Sequence, residues 1–154
     1  MSKGVRSAGL LPFRFRGTLE VLIGHPGGPW FAHRDEGSWS LLKGLVMEGE
    51  DDMTAAAREF SEETGWTVPE ATWTPLGETT LRSKKLVIAW AIEAEFDPAR
   101  LDPGHFEMGN QTYPEIDRVD WFPPDDARRK LNPAQAVFVD RLEVHVHNGG
   151  LARK

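Results

Sequence analysis

Three glutamates, Glu59, Glu62 and Glu63, follow an arginine in the segment Arg58-Glu-Phe-Ser-Glu-Glu-Thr-Gly-Trp66. On a helix that turns ~100° per residue, with Glu59 at 0°, Glu62 falls at ~300° and Glu63 at ~40°. The three carboxylates then share one face, with Arg58 at its edge. Like charges that close repel and raise one another's pKa. A divalent cation relieves the repulsion, and carboxylate oxygens with waters and substrate phosphate are the usual shell of Mg²⁺. A cation held there polarises phosphoryl oxygens and helps make a water nucleophilic. The plainer alternative is a solvated acidic face, with Arg58 in a surface ion pair of little worth.

The element that must position these groups is a helix over 52–64. Asp51 or Asp52 is suited to cap its start and Gly65 to end it. Met53, Ala56, Ala57, Phe60 and Thr64 form its apolar stripe, at ~60° to ~160° on the same wheel, so the helix docks on a sheet. Strands are expected over 8–15, 19–24, 39–42, 76–81, 86–96 and 118–122. His25-Pro-Gly-Gly-Pro29 opens a polar loop to about Ser38, and 44–50 is a second loop. A short helix over 124–131 has Asp125 and Asp126 in its first turn. Asn132-Pro133 begins a last helix carrying Val137, Phe138 and Leu142. The order of strands, helix, strands and helices reads as an α/β (α+β) fold, a mixed β-sheet flanked by helices.

The bulk composition sets outer limits. The 154 residues suit one domain, 1–154. There is no cysteine, which excludes disulfides and thiolate chemistry and fits a cytoplasmic setting. The net charge of −6 argues against a general nucleic-acid binder. No apolar run reaches the ~18 residues of a membrane span, and the basic start, Met1 to Arg6, is not followed by a signal-peptide core.

Spacing upstream of the acidic segment decides against a merely solvated face. From Gly44 there are five residues, then Glu50, then seven, then Arg58-Glu59-Phe60-Ser61-Glu62-Glu63-Thr64-Gly65-Trp66. This resembles the Nudix box, G-x5-E-x7-R-E-U-x-E-E-x-G-U with U a bulky apolar residue, over 44–66. Seven fixed identities at ~6–7% each would coincide on the order of once in 10⁸ positions. The N-terminal half, with His25-Pro-Gly-Gly-Pro-Trp and Trp39-Ser, resembles a bacterial subgroup of NTP pyrophosphohydrolases.

The resemblance implies the family's α/β/α sandwich and a hydrolase cleaving the pyrophosphate bond of a nucleoside diphosphate derivative with Mg²⁺, or Mn²⁺ as substitute. Glu59, Glu62 and Glu63 would be metal ligands, and Glu59 would also orient the attacking water. Glu50 would be an outer ligand, the Leu45 carbonyl a further one, and Arg58 would hold a carboxylate, Glu59 above all. Gly44 and Gly65 would serve backbone geometry. Two departures from common relatives are Leu42 in Leu42-Lys43-Gly44, where many have proline, and Met47, where many are acidic. The partner implied is a small nucleoside diphosphate derivative, with no nucleic-acid polymer and no membrane; Nudix domains often form homodimers. The alternative function is a catalytically weak nucleotide-binding or ligand-sensing module.

Outside the box, Glu107 and Glu115 are candidates for a further carboxylate, with Glu107 preferred on spacing. Lys43, Arg82, Lys84 and Lys85 could meet phosphates, Lys43 first because it abuts the box. Trp30, Phe31 and Trp39 could stack on a base, although large aromatics are more often core. His145-x-His147 suggests a metal pair on a strand but has no third ligand. His25 and His33 take no role.

Overall fold

The computed structural model describes residues 5–148. Among the described residues, eight strands and three α-helices follow in chain order: β1 Arg6–Phe15, β2 Leu19–Pro26, β3 Leu42–Leu45, α1 Asp52–Thr64, β4 Thr74–Thr80, β5 Leu86–Glu93, β6 His105–Met108, β7 Gln111–Pro114, β8 Ile116–Phe122, α2 Pro124–Lys130 and α3 Ala136–Asn148. β1 lies mid-sheet because seven of its consecutive residues, Ser7 to Phe13, are buried, the signature of a strand covered on both faces.

The main sheet runs β4-β5-β1-β2-β8. β1 pairs with β5 in parallel, from Arg6 opposite Leu86 to Phe13 opposite Glu93. Its other edge is shared. The first half pairs antiparallel with β3, Ser7 to Leu45 through Leu10 to Leu42, and the far end with β2, Phe13 to Val21 through Phe15 to Leu19. β2 and β3 therefore diverge along one edge, and β2 continues to β8.

The alternation of strand side chains feeds two cores. Leu11, Phe13, Val21 and Ile23 pack with Phe138, Val139 and Leu142 of α3, Leu131 and Trp39. Ala8, Leu10, Leu22 and Leu42 face the other way, onto Ala55, Ala56 and Phe60 of α1. At ~25 cal/mol per Å² these apolar layers drive assembly and fix α1 against β1 and β3. This is the mixed sheet between helices that the order of elements implied.

Several local expectations shift. The strand expected over 39–42 forms instead at Leu42–Leu45, with Trp39 and Ser40 making only isolated bridges to Leu131 and Gly24. The segment 105–114, over which no strand was expected from the sequence, is a β6–β7 hairpin turning at Gly109, whose φ is +65°. The strand over 86–96 stops at Glu93. The last helix begins at Ala136, after a 3₁₀ turn Pro133–Gln135. His145 and His147 lie in α3, not on a strand, and so 200° apart around its axis at ~100° per residue. That spacing points them to different sides and removes the metal-pair reading.

Candidate active site

α1 begins and ends as its residues dictate. Asp51 caps it by accepting from the Thr54 N–H at 3.2 Å. Gly65 ends it at φ +76°, a left-handed conformation costly for any residue with a Cβ, and its N–H donates to Ser61 O at 2.8 Å. The buried face is Ala55, Ala56, Phe60, Glu63 and Thr64. Met53, expected in that stripe, is exposed. The helix is rotated from the purely apolar solution, and the rotation carries Glu63 inward.

Glu63 is 8% exposed, and its Oε1 is buried with no hydrogen-bond partner among the described residues. An unpaired buried carboxylate is costly. Burial first, then the neighbouring Glu59, pushes its pKa well above the ordinary value, against an opposing pull from Lys43. Glu59, Glu63 and Glu115 each present an oxygen within 4.8 Å of the others. Glu115 is likewise raised, by burial and then by Glu59 and Glu62. A divalent cation fits here on chemical grounds: three hard oxygen donors converge, one of them with an unpaired buried oxygen.

Gly44 makes this convergence possible. It sits in β3 opposite Ala8, and a Cβ built on it would lie 1.8 Å from Glu59 Oε1. The carboxylate thus occupies the volume where any other residue would carry a side chain. The requirement is close approach, not unusual φ.

Arg58 is the organiser beside the cluster. Its Nε donates to Glu50 Oε2 at 2.8 Å and its Nη2 to Glu50 Oε1 at 2.9 Å, a bidentate pair. Nη1 donates to Glu59 at 2.7 Å and to Glu62 at 3.1 Å, and Nη2 also reaches the Leu45 carbonyl at 2.9 Å. The expected Arg58–Glu59 contact is present, but the bidentate partner is Glu50. These bonds hold the Glu50 carboxyl down at about 2, and the Met47 N–H donates to it as well at 3.0 Å. Glu62 is half-exposed, engaged with Arg58 and outside the group of three converging oxygens.

The cluster opens on a cleft of about 460 Å³. Lys43, Glu63 and Glu115 line one part of it; Trp30, Phe31, Arg34 and Trp39 line another. Lys43 is substantially buried, and desolvation lowers its pKa, opposed by Glu63 and Glu59. Trp39 is 3% exposed, packed edge-on against His25 and Phe122, and its Nε1 donates to Asp35 at 2.8 Å. It is a wall of the cleft rather than a free stacking platform. Trp30 is 66% exposed, with the Arg34 guanidinium 4.3 Å above its ring. His25, left without a role by sequence reasoning, fastens this loop. Its Nε2 donates to the Arg34 carbonyl at 2.7 Å and its Nδ1 pairs with Asp117 at 2.8 Å.

The remaining candidates lie elsewhere. Glu107 is in β6, paired with Thr112 across the hairpin, and the preference for it gives way to Glu115, which directly follows β7. The physical reason is the hairpin itself: it holds Glu107 in a two-stranded ladder opposite Thr112, while the Glu115 N–H donates to Gly104 O and the Gly104 N–H to Glu62 O, both at 2.8 Å, tying Glu115 to the end of α1. Arg82, Lys84 and Lys85 occupy the β4–β5 turn; none of them lines the cleft, although Lys85 lies near enough to Lys43 to lower its pKa.

A cleft acidic at one end and aromatic at the other suits a phosphorylated ligand with a planar group, once a cation offsets the carboxylates. The layered sheet with its glutamate-bearing helix is the framework of the Nudix hydrolases. Residues 5–142 match the NUDIX domain, and the chain belongs to that family. It is similar to the 8-oxo-(d)GTP phosphatase of Mycolicibacterium smegmatis, 34% identical over 133 residues that cover 82% of this chain; the chain spans 37% of that protein's length. Among solved structures it is similar to a C. elegans Ap4A hydrolase binary complex, with a TM-score of 0.67 and 21% identity over 92% of this chain and 98% of that one. It is also similar to the NUDIX domain of Shewanella oneidensis NrtR complexed with ADP ribose, with a TM-score of 0.64 and 12% identity over 95% and 90%. At these identities the structural likeness is one of fold.

Proposed function

We propose that the chain works as a single Nudix domain that hydrolyses a phosphoanhydride bond of a nucleoside diphosphate derivative with Mg²⁺, which Mn²⁺ can replace. The observation that carries this reading is the convergence of Glu59, Glu63 and Glu115 at the end of a cleft whose other end is aromatic. Glu59, Glu63 and Glu115 would hold the cation, with Glu62 reaching it from the exposed side. When bound, the cation supplies charge neutralisation on the phosphoryl oxygens and acidifies a water. Lys43 binds a phosphate oxygen within the cleft. Glu59, fixed by Arg58 and seated over Gly44, orients the attacking water. Glu115, beside the same space, accepts the proton as the water oxygen bonds to phosphorus. The bridging P–O bond breaks and its electron pair leaves with the second phosphate. Glu50 holds Arg58, and through it the geometry of Glu59.

Among the described residues no helix is long and apolar enough to cross a membrane. A cysteine-free chain of this composition would work unchanged in a reducing cytoplasm.

A screen of nucleoside triphosphates, dinucleoside polyphosphates, ADP-ribose and nucleotide sugars with Mg²⁺, read by ³¹P NMR in H₂¹⁸O, tests the proposal. Turnover of at least one class with one ¹⁸O in a phosphate product supports it. No turnover of any class at high enzyme concentration rejects it.

A further inference from the structure

Glu59 and Glu63 keep their spacing because both stand on α1; Glu115 is the single residue between β7 and β8, and its distance from them must be set by other means. The backbone sets it from two sides. On one side the Glu115 N–H donates to Gly104 O and the Gly104 N–H to Glu62 O, both at 2.8 Å, while the Asp102 N–H donates to Thr64 O at 2.9 Å. The carbonyls of Glu62 and Thr64 belong to the last turn of α1, where no helical partner remains for them. On the other side the Gly27 N–H donates to Glu115 O at 3.0 Å. Gly27 belongs to the His25-Pro-Gly-Gly-Pro29 segment, which the reaction leaves unused, and opens the loop whose Trp30, Phe31 and Arg34 line the cleft. A shift in register brings it opposite Glu115: His25 pairs with Arg118 but Pro26 with Ile116, so Asp117 is an extra residue in β8. The Asp117 carboxylate is taken up by His25 Nδ1 at 2.8 Å. Both glycines stand where backbones pass in close contact. A Cβ built on Gly27 would lie 1.9 Å from the Pro114 carbonyl oxygen, and one built on Gly104 would lie 2.8 Å from Glu62 O. These obstacles are main chain, unlike the flexible carboxylate over Gly44.

We propose that Gly27 and Gly104 are positioning residues of the acid cluster: they let two backbone segments close on Glu115 from either side and hold its carboxylate against Glu59 and Glu63; this rests on the cation reading of Glu115 above. The three oxygens lie within 4.8 Å of one another. An alanine at Gly27 would have to open the joint by about 1 Å to restore ordinary contact with the Pro114 carbonyl, and a misplacement of that size at a reacting centre costs on the order of 10²-fold. Mg²⁺ also demands near-ideal ligand geometry. Opening the joint therefore takes Glu115 out of the cluster and leaves Glu59 and Glu63 in place on α1. The glycine and proline segment that begins the aromatic wall of the cleft thus acts on the metal end as well.

The experiment is a Mg²⁺ titration of the melting temperature of the wild-type protein, Gly27→Ala, Glu115→Gln and the variant carrying both changes. Each is read as the rise above its own metal-free baseline, beside turnover of a substrate found in the screen. Gly27→Ala should need about tenfold more Mg²⁺ than the wild-type protein for half the rise. Added to Glu115→Gln, it should change that concentration by no more than about twofold, because a clamp that acts only through Glu115 has nothing left to hold. A general loosening of the fold would instead add its full tenfold to the loss in Glu115→Gln. Turnover should follow the same non-additive pattern. Gly104→Ala opens the clamp from the α1 side, should behave as Gly27→Ala does, and carries the test if Gly27→Ala does not fold. Additive losses in the doubly changed variant would overturn the proposal. A wild-type Mg²⁺ response in Gly27→Ala beside a weakened one in Glu115→Gln removes the positioning role and keeps the cation site. A wild-type response in Glu115→Gln removes the cation site, and the positioning role with it.

Discussion

The two long helices are the same length, 13 residues, and cover opposite faces of one sheet, yet they are built by different rules. α3 buries Phe138, Val139, Leu142 and Val146 and sends its charges outward, where Asp140 and Glu143 meet Arg128 of α2. Every position serves packing or solvation. α1 buries two alanines and a phenylalanine, then spends its last inward positions on Thr64 and on a carboxylate with an unpaired oxygen. Thr64 is satisfied by donating to the Phe60 carbonyl at 2.6 Å. Glu63 is only half satisfied: the Lys43 backbone and ammonium favour its charge, while among the described residues its Oε1 has no partner. A helix that accepts a buried, half-paired carboxylate, where its neighbour across the sheet shows a fully apolar alternative, marks where stability has been given up for a site.

Glu63→Gln breaks this contrast most sharply. Turnover should drop on the order of 10²–10³-fold, since a ligand of the cation that would neutralise the reacting phosphates is lost. The metal-free variant should nevertheless melt at or above the wild-type temperature. The sign follows from Glu63 having a folded pKa raised above its ordinary 4.5. Its ionised form costs stability, increasingly as pH rises from that value through the folded one. Thermal melts without metal at several pH values check this: the wild-type protein should lose stability over that rise and the variant should lose less.

On the other helix, Phe138→Ala should cost about 3–5 kcal/mol in chemical denaturation. The rate per folded molecule should stay within about twofold, because Phe138 lies in the core on the face of the sheet away from α1. A large change in rate with little change in stability would erase the distinction between the two faces.

Gly44→Ala should reproduce most of the activity loss of a Glu59 variant while lowering the melting temperature only slightly. The atom in its way is the far end of a flexible side chain, which can swing aside at small cost to the fold but not to the site. Steady-state kinetics beside a thermal melt decides it.

Arg58→Lys is expected to reduce turnover about 10- to 100-fold, since a lysine cannot make the bidentate bond or bridge three carboxylates. Glu50 adds a pH signature. Its folded pKa of about 2 lies below the ordinary 4.5, so its stabilisation is present above pH 4.5 and is lost as pH falls toward 2. Acid unfolding should therefore come at higher pH in Arg58→Lys than in the wild-type protein.

What could be read from the chain follows the same division. α1 and its ends were legible because Asp51, Gly65 and the glutamate spacing act within a few residues of one another. The inward rotation that exposes Met53 and buries Glu63 was not, because it depends on β1 and β3 lying beneath the helix. Glu115 was visible only as one of two loop glutamates; choosing it requires knowing that β6 and β7 pair and hand the chain back to Gly104. Trp39 and Gly27 were hidden for a related reason. One is a large aromatic whose burial depends on distant partners in β8 and the 3₁₀ turn, and the other is a loop glycine whose close neighbour, Pro114, is far away in sequence. Short-range signals gave the acid cluster its helix, and long-range pairing supplied its third oxygen and the rest of the cleft.

The most direct test of the central claim is the melting temperature during a Mg²⁺ titration of the wild-type protein, Glu63→Gln and Glu115→Gln. A cation held between Glu59, Glu63 and Glu115 stabilises only the folded chain, so the wild-type temperature should climb with concentration, by about 2.7 kcal/mol of stability at 100 times the dissociation constant. Both variants should need at least tenfold more Mg²⁺ for the same rise. A wild-type temperature that does not respond, or variants that respond as the wild-type protein does, would contradict the account.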